Sequence, residues 1–399
     1  SIGLGKNVII ARDSDHISNM IKRSIASGIL SAGVNIIDTQ VIPIPILRQE
    51  LKSGEGAGGV FVRKSPFDKR STDIIFFDKD GRDLSSNKTK SIERLFFSEE
   101  YKRADFDKVG AIKFQERTNA KYMKHFLDCL DLQAIRKRKF KIVIDYSNGI
   151  TSTIFPNILG EFNCEVVSLS AHLDSEKITR SEEEHRKLLD HVTYVVKSLH
   201  YDIGFMMDSG GEKIWLSLNN GKLLSGDRLL VLVMKLFLIV TKDVKKIAVP
   251  VQVSREVDIV AKEFGVEVVR VKDTHYSMMM ACDDTNVKFV GGVRGGFLFP
   301  DFLYSTDGMF SVAKILDLIA RSNQTMEEMD KSTVKLYMIK ENIICSKEKK
   351  GSIMRKFMED TIMYKQELID GVKVFIDKNS TVLCIPDKNR NLVHLDVES

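Results

Sequence analysis

The sequence predicts an α/β fold of three tandem α/β domains with mixed, mainly parallel sheets, followed by a smaller C-terminal α+β domain. Two observations carry this expectation. An apolar strand, a turn, an amphipathic helix and a second strand recur as one unit three times, at a spacing of roughly 100 residues, and parallel pairing requires such crossovers. After about Ser332 the order changes to a strand, a helix and two short strands, which suits an α+β unit.

The first unit opens with a strand over 7–11. Asp13-Ser14-Asp15-His16 offers capping side chains to a helix over 17–32, Gly33 stops that helix, and 34–37 returns as a strand. The second unit has a strand over 141–145, a helix over 151–159 stopped at Gly160, and a strand over 164–167. A helix over 227–240 leads into the third unit, with strands over 245–249 and 266–271 around a helix over 254–264 that ends at Gly265. Residues 307–320 read as a helix, and Arg321-Ser322-Asn323-Gln324 as a hinge. The tail reads as a strand over 334–340, a helix over 350–363, and strands over 372–376 and 381–385. The expected domains are 1–115, 116–220, 221–325 and 326–399.

Composition narrows the function. With 399 residues, 43% hydrophobic and 29% charged, the chain has ample material for several buried cores. The net charge of +5 comes from 60 basic and 55 acidic residues that are mostly interspersed, so no nucleic-acid partner is expected. The one dense basic cluster, Arg136-Lys137-Arg138-Lys139, precedes a strand and reads as a solvated helix end. The most apolar run, 229–240, contains Lys235 and is too short to span a bilayer, so it reads as a buried helix and no membrane partner is expected. Five scattered cysteines without a Cys-x-x-Cys pair suit reduced core residues in a cytoplasmic protein. His16, His172, His191 and His275 lie too far apart to argue for zinc and read as hydrogen-bonded structural residues. Met278-Met279-Met280 read as core or gap-filling residues. No Gly-x-Gly-x-x-Gly follows the opening strands, so the Gly-Gly pairs are not a dinucleotide fingerprint. The chain starts almost at once in a strand and without methionine, which reads as a piece of something longer.

The most informative stretch is Ala57-Gly58-Gly59-Val60-Phe61-Val62-Arg63-Lys64-Ser65-Pro66-Phe67-Asp68, followed by the apolar run Asp73-Ile74-Ile75-Phe76-Phe77 and the turn Asp78-Lys79-Asp80-Gly81. Glycines permit close approach of backbone to ligand, and Ser65 stands beside two cations and before a φ-locked proline. This arrangement would present a phosphate-bearing serine; the competing reading is an ordinary serine on a surface hairpin. The stretch resembles the phosphoserine loop of the α-D-phosphohexomutases (phosphoglucomutase and phosphomannomutase), Thr-Ala-Ser-His-Asn-Pro, although the His-Asn pair is missing here.

Further landmarks extend the resemblance over nearly the whole chain. Arg12-Asp13-Ser14 is similar to part of the family's Gly-Arg-Asp-Thr-Arg segment, and Pro43-Ile44-Pro45 to its Thr-Pro turn. Asp208-Ser209-Gly210-Gly211-Glu212-Lys213 falls on the Asp-Gly-Asp-x-Asp-Arg metal motif. Gly291-Gly292-Val293-Arg294-Gly295-Gly296-Phe297, before Asp307-Gly308, looks like the sugar-recognition loop. Ile385-Pro386-Asp387-Lys388-Asn389-Arg390 falls on the Arg-Pro-Ser-Gly-Thr-Glu phosphate loop. The resemblance implies four domains around a central cleft, each contributing one loop.

It also implies roles. Ser65 would accept the phosphoryl group; Arg12, Arg63, Lys64, Lys388 and Arg390 would bind phosphate; Arg294 would bind substrate; and Asp208 with Glu212 would hold Mg²⁺, weakly or not at all, because Gly210 replaces an aspartate. A plain β-turn is the other reading of that loop. The family's Glu and Ser of the sugar loop fall at Gly292 and Arg294, and its His at Gly296. Arg12 and Asp13 also read as an ion pair at a helix start, with Asp15 lowering phosphate affinity. These departures together resemble the mutase-like module that follows a sugar-1-phosphate nucleotidyltransferase domain in certain fused proteins. The expected function is intramolecular phosphoryl transfer on a hexose phosphate in carbohydrate metabolism, weak or lost. The alternative is a non-catalytic sugar-phosphate-binding or regulatory module attached to such a nucleotidyltransferase.

Overall fold

Four sheets succeed one another along the chain in the computed structural model, which describes residues 3–54, 56–99, 101–377, 380–387 and 390–399. The first contains β1 (Asn7–Arg12), β2 (Asn35–Val41), β3 (Gly59–Lys64), β4 (Thr72–Phe77) and β5 (Ile112–Phe114) in the order 4-3-1-2-5. β4 alone runs antiparallel to its neighbour. The second contains β6 (Lys141–Asp145), β7 (Glu165–Leu169), β8 (Ile203–Met207), β9 (Ile214–Leu218) and β10 (Leu223–Leu224), ordered 10-9-8-6-7. The third contains β11 (Lys246–Pro250), β12 (Glu267–Val271), β13 (Val287–Gly291) and β14 (Phe297–Leu298), ordered 12-11-13-14. Each of these sheets has a parallel centre and an antiparallel edge, as the recurring βαβ pattern requires.

The fourth sheet is antiparallel throughout: β15 (Met338–Ile344), β16 (Lys365–Glu367), β17 (Val372–Phe375), β18 (Thr381–Pro386) and β19 (Leu392–Glu398), ordered 15-19-18-17-16. Three mixed sheets and one antiparallel sheet thus match the expected fold class. Two strands here were not anticipated, and the strand expected over 334–340 begins only at Met338. Side chains intercept the backbone before it. Arg228 takes the Thr333 and Val334 carbonyls, and Glu256 Oε1 accepts the Leu336 N–H at 2.8 Å, so the ladder cannot start sooner.

Alternation along β1 and β3 divides the first core. Ile9, Ala11 and Phe61 face the large cluster shared with the second and third sheets, whereas Val8, Ile10, Val60 and Val62 pack under the helix His16–Ser31. Asp15 caps that helix, accepting from the Ile17 and Ser18 amides. The helix Gly226–Val240 is buried almost all round, with Leu229 to Leu232 at 1% exposure or less, which explains its long apolar run. Among the described residues no helix is long and apolar enough to cross a membrane. The basic cluster ends the helix Leu132–Arg138, as expected of a solvated helix end.

Local chemistry shifts other elements. Pro156 lies at the start of the helix Phe155–Gly160, so the helix expected from Thr151 begins instead with a 3₁₀ turn, Ile150–Thr153. The Pro43-Ile44-Pro45 turn opens the helix Ile44–Lys52, because proline is tolerated in a first helical turn.

Candidate functional site

Ser65 stands where β3 ends, since Pro66 cannot donate to a ladder. It is only 4% exposed. Its N–H donates to the Ser71 carbonyl at 3.0 Å, its carbonyl accepts from Thr179 Oγ1, and its Oγ accepts weakly from the Phe67 amide at 3.4 Å. Asp13 pins the approach from the neighbouring strand, with Oδ2 accepting the Lys64 N–H at 2.7 Å. Burial raises the Asp13 pKa, with the hydrogen bonds from the Lys64 and Asp15 amides acting the other way.

The cations beside Ser65 point in different directions. Lys64 Nζ reaches Glu176 at 2.9 Å. Arg63 turns instead toward the 208–213 turn, with Nε 3.1 Å from Asp73 and Nη1 3.6 Å from Glu212 Oε2. Arg12 Nη1 donates to the Asp13 carbonyl at 2.7 Å, rather than pairing with its carboxylate, while Nε is buried with no hydrogen-bond partner among the described residues. Asp13, Ser14, Arg63, Lys64, Ser209 and Gly210 line one small cavity, so the structure brings the serine loop and the 208–213 turn together.

Asp208 closes that turn itself, with Oδ1 accepting the Glu212 and Lys213 amides, each at 2.7 Å. Its pKa is raised, first by burial and then by the charge of Glu212. Glu212 is also buried, but Arg48, Arg63 and His275 outweigh the burial and hold its carboxyl below the ordinary range. Arg48 is the residue that sequence reasoning missed. Its Nη2 lies 2.9 Å from Asp83 and 3.3 Å from Glu212, its Nη1 donates to the Gly81 carbonyl at 3.0 Å, and the guanidinium covers the Phe77 ring. A sequence signal existed: Arg48 shares a helix face with Ile44, Leu47 and Leu51, where an apolar residue is expected. Gly81, at φ +75, permits the close approach, since a Cβ there would stand 2.4 Å from the Arg48 carbonyl oxygen.

Magnesium fits this turn poorly. Both Glu212 oxygens face guanidinium groups, and one Asp208 oxygen is committed to two amides. Gly210 offers no side chain, and among the described residues no group of three or more His, Cys, Asp or Glu side chains is placed to hold a metal ion. With one Asp208 oxygen left uncommitted, an octahedral ion would have to take nearly all of its shell from water or phosphate.

A second cavity of about 180 Å³ joins Glu212 to His275, Gly292, Arg294, Gly296 and Thr306. His275 bridges Asp83, at 2.9 Å, and Thr306, at 3.1 Å, as a hydrogen-bonded structural histidine would. Arg294 is 72% exposed and lies 3.2 Å from Asp273. Gly295, at φ +78, packs against β9, where a Cβ would come within 2.0 Å of the Ile214 carbonyl oxygen. At Gly296 a Cβ would meet Thr306 Cγ2 at 2.7 Å, so a larger side chain there requires Thr306 to shift. Met278 and Met279 are core residues, whereas Met280 is 38% exposed. Arg390 is exposed in the turn after β18, its N–H on Asp387 Oδ1 at 2.7 Å, with Lys350 and His394 also gathered on that turn. Lys388 lies outside the described residues.

Asp307, beside this cavity, yields a pH prediction. It caps the helix Gly308–Ser322 through the Phe310 amide at 2.9 Å and accepts from the Tyr122 hydroxyl at 2.6 Å. Burial nevertheless pushes its pKa up to about 7. The folded chain therefore holds this proton at pH values where the unfolded chain has lost it. The contribution of Asp307 to stability therefore falls as pH rises from the ordinary value near 4 through about 7, then levels off. Asp307→Asn retains a capping oxygen without the charge. Its stability relative to the native chain should be greater at pH 8 than at pH 5, by about 1–3 kcal/mol. Urea unfolding at both values checks this, and an unchanged difference would contradict the assignment.

Comparison with known proteins bears on the fold and the family. The sequence matches three family profiles: phosphoglucomutase/phosphomannomutase alpha/beta/alpha domain I over residues 3–103, domain II over 120–221 and domain III over 225–337. It is 28% identical over 378 residues to a phosphoglucomutase/phosphomannomutase of Thermococcus kodakarensis, covering 93% of this chain and 81% of that protein. It is 24% identical over 401 residues to a phosphoglucosamine mutase of Methanococcus vannielii, covering 99% and 88%. The fold is similar to the crystal structure of a phosphoglucomutase/phosphomannomutase family protein from Burkholderia thailandensis, with TM-score 0.86, 18% identity, and coverage of 99% of this chain and 85% of that one.

Proposed function

Because the chain belongs to the phosphoglucomutase/phosphomannomutase family, we propose that it binds a hexose phosphate in carbohydrate metabolism and performs phosphohexomutase-type phosphoryl transfer through Ser65 only weakly or not at all. The observation that carries this reading is the junction of the serine loop with the 208–213 turn. Ser65, Arg63 and Lys64 lie on one strand end, and Arg63 reaches Glu212 across the interface. In that reading Ser65 is the phosphoryl acceptor, Lys64 and Arg12 supply positive charge, and Arg294 meets the substrate from the third sheet. Arg390 would supply further charge from the fourth. The protein's own contribution to transfer is to position the ester and offset its charge. No step is assigned to a metal ion, for which the donors are poor.

The alternative is a non-catalytic sugar-phosphate-binding module joined to a sugar-1-phosphate nucleotidyltransferase. It is supported by Gly292 and Gly296, which offer no side-chain polar group to a sugar, and by the consumption of Glu212 in ion pairs. Incubation with glucose 1,6-bisphosphate followed by peptide mass mapping separates the readings. We expect any incorporated phosphate on Ser65 and none in Ser65→Ala. Phosphate on another serine, unaffected by Ser65→Ala, would refute the acceptor assignment; bisphosphate binding without incorporation would favour the module.

A further inference from the structure

We propose that the Arg63 guanidinium, backed by Arg48, is the resident cation of the 208–213 turn, standing in place of a divalent metal ion, so that the protein engages a phosphorylated sugar without one. The ligand class rests on the function proposed above; the position of the cation does not.

The geometry is specific. A Cβ added to Gly210 would lie 3.2 Å from Arg63 Nη1, 3.4 Å from Asp208 Oδ2 and 3.6 Å from Glu212 Oε2. The space bounded by the two carboxylates and the missing side chain is therefore already reached by a positive group. Arg63 is held there from both sides, by Asp73 on the neighbouring β4 and by Glu212 on the turn. Arg48 holds the other Glu212 oxygen and is itself only 3% exposed. The two guanidiniums are fixed by packing and ion pairs, carry charge at all ordinary pH, and do not exchange with solvent ions.

Two consequences follow from elementary electrostatics. A divalent cation entering between Asp208 and Glu212 would face a guanidinium at contact distance and find both Glu212 oxygens already paired, so it must either displace Arg63 or stay out. Gly210 and Arg63 are also mutually dependent: an aspartate at position 210 would be placed against Nη1 and would pair with it. A third carboxylate alone should not create a metal site. Removing the guanidinium as well should. A fixed guanidinium can still bind phosphate oxygens through its planar fork, but it cannot coordinate a leaving oxygen as a Lewis acid. This accords with retained binding and weak transfer.

The test uses the full chain and Mn²⁺ as the probe, followed by electron paramagnetic resonance of the free ion. The native protein and Arg63→Lys should show no specific site. Arg63→Gln combined with Gly210→Asp should bind Mn²⁺ at least about tenfold more tightly than Gly210→Asp alone, a difference of about 1.4 kcal/mol. Arg63→Lys guards against misfolding as an explanation, because it retains the charge and the cross-strand partner. In parallel, calorimetry with glucose 1,6-bisphosphate in EDTA and in Mg²⁺ should give affinities for the native protein within about twofold of each other. Tight Mn²⁺ binding by the native chain, equal binding by the double variant and Gly210→Asp, or a tenfold gain in sugar-bisphosphate affinity on adding Mg²⁺ would each overturn the proposal. If the bisphosphate binds in neither buffer, the sugar-phosphate reading fails, and the Mn²⁺ comparison still decides the place of Arg63.

Discussion

In a coupled assay with glucose 1-phosphate or mannose 1-phosphate, the protein is expected to turn over about a thousandfold more slowly than the ~10 s⁻¹ usual for enzymes. Transition-state stabilisation in a mutase draws on binding energy from the whole sugar, because the ring must be fixed before the phosphoryl group can be aimed. Gly292 and Gly296 line the cavity from which such contacts would come, and neither has a side chain to offer. A larger residue at Gly296 would first have to move Thr306, which occupies the adjacent space. Two lost polar contacts at about 1–3 kcal/mol each remove about 2–6 kcal/mol, and about 4 kcal/mol already corresponds to a thousandfold. The poor oxygen set around Asp208 and Glu212 adds to the deficit. Turnover near the usual enzymic rate would refute the weak-transfer reading and show that the sugar is held by other groups; Arg294, exposed at the cavity rim, would then be the first residue to replace.

The fold was legible where the chain writes its structure locally. Apolar strand runs, capping side chains such as Asp15, and the stops at Gly33 and Gly265 mark the three βαβ units within short windows. The order of glycine-rich landmarks was equally local, which is why the family could be recognised. Less legible was the fourth sheet. Its last strand, Leu392–Glu398, pairs with Met338–Ile344 across some fifty residues of chain, and the start of the latter is set by Arg228 and Glu256 in the third unit. The capping box of the helix Glu182–Leu199, Ser181 with Glu184, was present in the sequence and overlooked.

For the candidate site the same distinction holds. The sequence identified the individual loops but not their mutual pairing. Arg63 reads as a phosphate ligand because it adjoins Ser65, yet the fold aims it at a carboxylate well over a hundred residues away. Arg48, Asp83, Glu212 and His275 come from three different sheets' surroundings and meet only in the folded chain. No periodicity records such a meeting, although a charged residue on an otherwise apolar helix face marks a place where a buried partner is required.

That network gives the second large effect: Arg48→Ala is expected to destabilise the protein by about 3–5 kcal/mol, because truncating the central member of a buried charge cluster leaves its partners desolvated with only Arg63 and His275 to offset them. Asp83 and Glu212 would lose the cation they share, and the Gly81 carbonyl its donor. Burial pushes the Asp83 pKa upward, but Arg48 and His275 reverse this and hold it far below the ordinary carboxylate range; without Arg48 the balance moves back toward protonation. Arg48→Lys should recover only part of the loss, since an ammonium cannot span both carboxylates and the carbonyl with a planar fork or cover Phe77 as a flat cation. The measurement is urea unfolding followed by the fluorescence of Trp215, the only tryptophan, which lies on β9 three residues after Glu212. Because a multidomain chain need not unfold in one step, the transition seen by this probe is the relevant one. A loss below about 1 kcal/mol would place the cluster among ordinary surface ion pairs. Equal losses in Arg48→Ala and Arg48→Lys would show that geometry, rather than charge alone, is what the serine loop and the 208–213 turn require to stay joined.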